Sequence, residues 1–335
     1  MTSYGICTFA IADGSAGAGI SVAGKVVSID ELIDTLPGSD WDALRGRSVF
    51  DLLQEWSQVK GVISGLVNAA VEKNLIAECG RAPGSVKMFP PIMKPQQIFC
   101  TGANYRQHVI DLTLDAGVGP EGLSDAELRT WAENMMDERA ANGEPYVFMK
   151  PVSAMAGAYD SLPLPSNTTQ PDWELELGVV IGREAFRVSR EDALSYVAGY
   201  TIVNDISARD LIPRTDYKML GTDWFRSKGQ RGFFIVGPEV VPSEFVDDPM
   251  DLKIKLEVSG KLMQNETTAD MIFDIARQIE YISSYTPLLP GDIICTGSPA
   301  GNGTHYNRFL RDGDIMTGEI EGLGVQKVHC VADHD

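Results

Sequence analysis

The alternation of short apolar runs with glycine and proline, from Tyr146 to the C-terminus, most constrains the fold of this 335-residue chain. The runs include LELGVVIG, VAGYTIVND, GFFIVGPEVV, LKIKLEVSG and DIICTG, and Gly or Pro recurs about every eight to twelve residues. Such runs are typical of β-strands, and convincing helical periodicity interrupts them only in SREDALSYVAG and TADMIFDIARQIEYISSY. The pattern predicts an α+β fold that is predominantly β, rather than a regular βαβ alternation.

A proline-rich segment, GRAPGSVKMFPPIMKPQQ, indicates where the chain divides, because proline cannot continue a helix or a central strand. We therefore expect a small α+β N-terminal domain over residues 1–90 and a larger domain over residues 91–335. Within the larger domain, Ser124 and Glu127 have capping-box spacing, and Asn142-Gly143 is a typical stop signal. These signals predict a helix within residues 112–144.

The charge balance excludes several classes of partner. Lys and Arg number 28 against 47 Asp and Glu, which gives a net charge of −19. Such a field repels nucleic acid and anionic membrane surfaces, and no run of about eighteen apolar residues occurs. The five cysteines are odd in number and form no CxxC pair, so buried reduced thiols are expected. We predict a cytoplasmic protein that binds neither nucleic acid nor membrane.

Acidic residues alternate along DWELELGV, an unusual position for them because strands are depleted in Asp and Glu. The strand period of two places Asp172, Glu174 and Glu176 on one face. Asp205 ends a second apolar run, GYTIVND. Oxygen ligands from two strands suit Mg²⁺, Mn²⁺ or Ca²⁺ rather than zinc. On this pattern alone, a solvent-facing acidic strand and an Asx turn at Asp205 remain alternatives.

His108 is a candidate general base. Asp111 follows three residues later, and on a helix the two side chains share a face, which lets the carboxylate orient the imidazole. An ordinary surface histidine is the alternative. The glycine-rich turn CTGSPAGNG is a candidate for presenting backbone N–H groups to an anion, although it is no Walker sequence.

Seven segments in order resemble the motifs of the fumarylacetoacetate hydrolase family, from about residue 91 to the C-terminus. They are TGANYRQH, FMKP, DWELELGVVIG, GYTIVNDISARD, RSKGQRGFFIVGP, PGDIICTGSPAGNG and FLRDGDIMTGEIEGLG. The resemblance implies a mixed β-sandwich roll for the larger domain, a homodimer, and an enzyme that acts on 2-oxo acids with a divalent metal. Compared with the family pattern, the segment near residues 112–144 is a helical insertion, which we expect to form part of a lid; a surface decoration or a dimer contact is the alternative.

The resemblance also implies roles for individual residues. Glu174, Glu176 and Asp205 match the carboxylates that hold Mg²⁺ or Mn²⁺, with Ca²⁺ as an alternative. His108 matches the catalytic base, with Asp111 beside it, and Lys228 matches the active-site lysine. The residues expected to contact the substrate are Tyr105, Lys150, Arg209, Gln230, Arg231, Thr296 and Gly297.

The resemblance implies metal-dependent hydrolysis of a carbon-carbon bond in a small-molecule 2,4-dioxo acid of the acylpyruvate or fumarylpyruvate type, as in aromatic catabolism. An isomerase, hydratase or decarboxylase at the same site is the alternative, and a non-catalytic divalent-ion or ligand-binding module is a third. The sequence departs from the family pattern at Ile212, at the KGQRG segment and at Asn302. With Gln230 and Arg231, Asn302 indicates a polar or anionic substrate tail.

Overall fold

A computed structural model describes residues 2–36 and 39–333 of the chain. The outermost residues of the two predicted domains, 1 and 335, lie outside the described residues. The strands are β1 (Gly5–Ala10), β2 (Ala16–Val22), β3 (Lys25–Ser28), β4 (Met88–Phe89), β5 (Ile98–Gly102), β6 (Tyr146–Met149), β7 (Met155–Gly157), β8 (Leu162–Leu164), β9 (Pro171–Asp172), β10 (Leu175–Ile181), β11 (Val197–Asp205), β12 (Ser207–Ala208), β13 (Phe234–Val236), β14 (Val241–Pro242), β15 (Lys253–Val258), β16 (Lys261–Thr267), β17 (Ile293–Cys295), β18 (Ile315–Ile320) and β19 (Val325–Ala332).

The α-helices are fewer than the strands in the described ranges. They are α1 (Ile29–Thr35), α2 (Val49–Gln54), α3 (Trp56–Glu72), α4 (Leu75–Cys79), α5 (Arg106–Asp115), α6 (Asp125–Asn142), α7 (Trp224–Lys228) and α8 (Ile275–Tyr285). Single 3₁₀ turns occupy Ser39–Leu44, Pro83–Ser85, Val152–Ala154, Ala193–Tyr196, Arg209–Leu211, Lys218–Leu220, Ser243–Phe245 and Thr268–Asp270.

The described strands form one small N-terminal sheet, two larger sheets and a two-stranded ladder of β9 and β12. The N-terminal sheet has the order β3-β2-β1-β4. A central sheet has the order β6-β5-β17-β10-β11-β13-β7, with β14 also paired to β11, and a third sheet runs β16-β15-β18-β19-β8. Most pairs are antiparallel, while β5–β17, β7–β13 and β8–β19 are parallel. The predicted α+β, predominantly β fold is therefore confirmed.

The central sheet is buried on both faces, which explains why its strands read as nearly continuous apolar runs. Every residue of β10 and of β11 is buried. Leu175 and Leu177 pack in one core with Ile254 and Leu256 of the third sheet. On the opposite face, side chains such as Val180 pack in a second core with the N-terminal sheet and α2–α3.

The N-terminal region is a β-meander followed by helices. Strands β1 to β3 pair in antiparallel sequence, and Ser48 begins α2 with a capping box to Asp51. Its apolar core continues into the central sheet, since Ile6 and Leu66 share a cluster with Val180. The boundary near residue 90 stays a prediction.

The predicted helix near residues 112–144 is α6, which Ser124 caps with Glu127 and Gly143 ends. Its buried residues Ala132 and Met136 pack on Ile110 of α5. The helix thus lies behind α5 and supports it. No helix of the described chain is long and apolar enough to span a membrane.

Candidate active site

Two neighbouring strands bring the three predicted metal ligands together. Glu176 lies near the start of β10 and Asp205 ends β11. The antiparallel register pairs Leu175 with Asn204, and the Asp205 N–H donates a 2.8 Å hydrogen bond to the Glu174 carbonyl. As a result, one carboxylate oxygen each from Glu174, Glu176 and Asp205 lies within 4.8 Å of the others.

The strand predicted over residues 171–182 is interrupted at Trp173–Glu174. Asp172 belongs to β9, which pairs with β12 in a separate two-stranded ladder, and β10 begins at Leu175. The alternation still directs Glu174 and Glu176 to one side. The amphipathic-strand alternative is wrong, because these carboxylates are buried against protein and are 6% and 2% exposed.

Three cationic side chains surround the carboxylates. The Lys228 ammonium lies 2.6 Å from both Glu174 Oε2 and Asp205 Oδ2. Lys150 donates to the other oxygen of Asp205 and to the carbonyls of Ile206 and Phe233. Arg209 Nη2 lies 2.6 Å from Glu174 Oε1, although this nitrogen is not aligned for a hydrogen bond. The buried carboxylates of Glu174 and Asp205 are therefore both paired with cationic side chains, as buried charges must be.

The pKa values of Glu174 and Glu176 shift in opposite directions. Burial alone would raise the pKa of Glu174, but Arg209 and Lys228 outweigh it and lower the pKa to about 2. Burial raises the pKa of Glu176 well above its usual range, and the charges of Asp205 and Glu174 raise it further. Burial would also lower the pKa of Lys228, but Asp205 and Glu174 raise it. Glu176 is thus the carboxylate whose charge is least compensated.

His108 lies on α5 and lines the same cavity as the carboxylates. Burial lowers its pKa to about 4, against the opposing effect of Glu174, so the imidazole is neutral at pH 7. The predicted partner Asp111 accepts a 2.6 Å hydrogen bond from Gln107 instead. It lines a neighbouring cavity with Glu266 and His305. The structure therefore does not bring Asp111 to the imidazole of His108.

The cavity at these residues has a volume of about 110 Å³. Its wall comprises Thr101, Gly102, Ala103, His108, Leu112, Phe148, Glu174, Glu176, Asp205, Arg209, Trp224, Lys228 and Ser298. Sequence reasoning missed Phe148 and Trp224, whose rings stack with centroids 5.2 Å apart. The Lys228 ammonium lies 5.1 Å from the Phe148 centroid, within cation–π range. Trp224 precedes Lys228 by four residues on α7, and on a helix this spacing predicts that both side chains lie on the same face.

Several residues predicted to contact substrate lie elsewhere. Tyr105, Lys150 and Thr296 are buried outside the cavity wall. The Gly297 N–H donates a 2.8 Å hydrogen bond to Glu176 Oε2, so it is not free for an anion. Gln230 donates to the Arg226 carbonyl, and Arg231 lines a separate cavity beside β7. Among the predicted substrate contacts, the cavity wall contains Arg209.

The donor set fits a hard divalent cation. Glu174, Glu176 and Asp205 offer oxygen ligands, which Mg²⁺, Mn²⁺ and Ca²⁺ prefer. Within the described residues, Glu176 forms no ion pair, and its neighbours Asp205 and Glu174 carry charge of the same sign. A buried carboxylate without a cation is costly, and a divalent ion would compensate it.

Comparison with known proteins agrees with this geometry. Residues 97–331 match the family model described as "Fumarylacetoacetate (FAA) hydrolase C-terminal". A 2,4-didehydro-3-deoxy-L-rhamnonate hydrolase of Sphingomonas sp. (strain SKA58) is 36% identical over 275 residues, which cover 80% of this chain and 86% of the relative. A mitochondrial oxaloacetate tautomerase of Bos taurus is 35% identical over 242 residues, covering 72% and 68% of the two chains.

A solved structure resembles nearly the whole chain. It is the maleylpyruvate hydrolase of Sphingobium sp. SYK-6 in complex with manganese(II) and pyruvate, with a TM-score of 0.69 and 25% identity. The match covers 98% of this chain and 100% of that structure. With its family match over most of the chain and its hydrolase and tautomerase relatives, this chain belongs to the fumarylacetoacetate hydrolase family of enzymes.

Proposed function

We propose that the protein hydrolyses a carbon-carbon bond in a 2,4-dioxo acid of the acylpyruvate or fumarylpyruvate type, in a catabolic pathway. The observation that carries the proposal is the convergence of three carboxylates, a neutral histidine and two cations on one small cavity. The activities of two relatives, hydrolases of a 2,4-didehydro sugar acid and of maleylpyruvate, support it.

Glu174, Glu176 and Asp205 would hold the metal, with Mg²⁺ or Mn²⁺ favoured over Ca²⁺. When bound, such an ion supplies Lewis-acid stabilisation to negative charge that develops on a 2-oxo acid. The solved maleylpyruvate hydrolase is in complex with manganese(II), which supports a divalent ion as the cofactor of this chain.

The chain's own residues would perform the remaining steps. Arg209 and Lys228 provide positive charge in the cavity for the substrate carboxylate and for the oxyanion formed at the distal carbonyl. A neutral ring nitrogen of His108 would accept a proton from water as the water oxygen bonds to C4. The C3–C4 bond then breaks, and its electron pair stays on C3, which is protonated to yield pyruvate and a carboxylic acid.

The buried setting of His108 assists this role. A neutral imidazole accepts a proton directly, and the nearby charge of Glu174 favours the imidazolium that results. Because Asp111 does not contact the ring, the role expected for Asp111 as an orienting group has no support in the geometry.

A tautomerase is the second candidate. The Bos taurus relative is an oxaloacetate tautomerase, and His108 has no carboxylate hydrogen-bond partner within the described chain. A base that only shuttles a proton between carbon and oxygen needs no activated water. Isomerase, hydratase and decarboxylase reactions would use the same stabilisation of an enolate by the metal site.

Product analysis on a panel of 2,4-dioxo acids and oxaloacetate, with Mn²⁺ or with chelator, tests the proposal. We expect metal-dependent formation of pyruvate plus one equivalent of carboxylic acid. Interconversion of keto and enol oxaloacetate without cleavage of the dioxo acids would support the tautomerase instead. Full activity of His108→Gln would contradict both, and Mn²⁺ binding without turnover would favour a non-catalytic binding module.

The expected homodimer and the cytoplasmic location stay predictions. Light scattering coupled to size-exclusion chromatography measures the first directly. The lid expected from residues 112–144 also stays a prediction, although none of those residues beyond Leu112 lines the cavity.

A further inference from the structure

Asp172 shares the acidic pattern of the metal ligands, yet it lies outside their cluster. Its side chain is 0% exposed. Oδ1 accepts hydrogen bonds from the N–H groups of Trp173 and Gly303, at 2.8 and 2.6 Å. Oδ2 accepts from Arg209 Nε at 2.8 Å and from the N–H and hydroxyl of Thr304 at 3.2 and 3.1 Å. Five donors thus compensate one buried carboxylate.

The contact with Arg209 matters because a guanidinium is planar. Fixing Nε fixes the plane in which the two Nη groups lie. Arg209 has 15% of its side chain exposed, lines the cavity, and holds Nη2 2.6 Å from Glu174 Oε1. The orientation of its cavity-facing nitrogens therefore depends on Asp172, which does not itself line the cavity.

The same carboxylate anchors the turn after the glycine-rich segment. A Cβ at Gly303 would lie 2.7 Å from Asp172 Oδ1 and 2.2 Å from the Arg308 carbonyl, so only glycine permits this approach. The Trp173 indole also donates to the Gly301 carbonyl at 3.0 Å. The turn at Gly303 and Thr304 therefore holds Asp172 in place independently of Arg209.

We propose that Asp172 is a positioning residue for substrate binding, acting through Arg209. It presents a preset guanidinium to the carboxylate of the 2-oxo acid, which lowers the ordering cost of binding. The inference rests on the proposed function for its substrate class. It adds that the first acid of the DWELE segment sets substrate affinity without touching substrate or metal.

Asp172→Asn tests this with little change in shape. The amide oxygen still accepts from Trp173 and Gly303, while the amide nitrogen in the place of Oδ2 cannot accept from Arg209 Nε or from the Thr304 N–H. Asp292→Asn is the matched control, because Asp292 is also 0% exposed and accepts hydrogen bonds from Gln97 and Leu289 away from the cavity. Calorimetry would measure binding of Mn²⁺ alone and then of pyruvate to the Mn²⁺-loaded protein.

We expect Asp172→Asn to weaken pyruvate binding roughly tenfold or more, as loss of a charge-assisted hydrogen bond does, with Mn²⁺ affinity within about threefold of wild type. For a substrate that is turned over, KM rises more than kcat falls. Asp292→Asn should lower the melting temperature and leave pyruvate affinity unchanged. An Asp172→Asn protein that melts earlier but binds pyruvate as wild type does would overturn the proposal.

A second measurement needs no Asp172 variant. In ¹⁵N-arginine-labelled wild type, the Nε–H of Arg209 should exchange slowly with solvent and shift little when pyruvate is added, because Asp172 already holds it. Arg209→Lys identifies the resonance by its loss. Rapid exchange, or a large shift with pyruvate, would contradict preset positioning. The product analysis on 2,4-dioxo acids tests the proposed reaction separately. If that reaction is not found, the pyruvate affinity of Asp172→Asn relative to wild type and the exchange rate of the Arg209 Nε–H still test the role of Asp172.

Discussion

The Gly297 N–H donates a 2.8 Å hydrogen bond to Glu176 Oε2, and in the described part of the chain this carboxylate receives no ion pair. Glu174 and Asp205, by contrast, are each paired with two cationic side chains. The three carboxylates therefore contribute unequally: two are held by the protein, and Glu176 carries the charge that a divalent cation would compensate.

Glu176→Gln should abolish measurable Mn²⁺ binding while leaving the chelator-treated protein at least as stable as wild type. The amide keeps an oxygen for the Gly297 N–H and removes a buried charge. Calorimetry with Mn²⁺ and thermal melts with chelator measure the two effects. The surface variant Glu72→Gln should change neither, and a marked loss of metal-free stability in Glu176→Gln would contradict the assignment.

Lys228→Met should lower kcat by roughly 10²–10³-fold, the usual cost of losing a group that stabilises an oxyanion. Mn²⁺ affinity should not fall, because the Lys228 ammonium and a divalent ion are attracted to the same oxygens of Glu174 and Asp205. Steady-state kinetics and Mn²⁺ titration by paramagnetic resonance check both. The exposed Lys73→Met is the control. Weakened Mn²⁺ binding with normal kcat would make Lys228 a structural support for the metal instead.

His108 should make the metal-free protein less stable in acid. Its pKa is lowered to about 4 in the folded state, against about 6.5 in the unfolded state. As pH falls from 6.5 towards 4, the unfolded chain binds a proton that the folded chain does not, so stability is lost in that window. Relative to His108→Gln, wild type should lose up to roughly 3 kcal/mol between pH 7.5 and 4.

Urea denaturation of chelator-treated proteins at several pH values measures this difference. His329→Gln, on the exposed side of β19, is the control and should follow wild type. A constant difference between wild type and His108→Gln across the window would show that the imidazole titrates near its ordinary pKa.

Met136→Ala should destabilise the protein by roughly 2–5 kcal/mol, because it opens a space where α6 packs on α5. If α6 supports the helix that carries His108, kcat falls at temperatures where the protein is still folded. Denaturant melts and kinetics at low temperature separate the two effects. Asn134→Ala, exposed on the same helix, should alter neither, and normal kcat in folded Met136→Ala would limit α6 to a role in stability.

Local sequence signals predicted much of the molecule because they depend on nearby residues alone. The capping box at Ser124 and the apolar runs of β10 and β11 are confirmed in the structure. His108 and Asp111 both lie on α5, which is the condition under which their spacing places them on one helix face. The contact expected between them is absent, because Gln107 hydrogen-bonds to Asp111 and the two side chains line different cavities.

By itself, the sequence determined that acids at every second position emerge on one side of a strand, and that a second apolar run ends in Asp205. It also determined the family, through ordered motifs. The tertiary structure alone decided that both faces of the strand are buried. It also decided that Asp172 accepts hydrogen bonds from Arg209 and from the turn at Gly303, and that Arg231 lines another cavity. The physical reason is that period and composition fix direction along one strand, whereas burial and charge pairing depend on segments far apart in the chain.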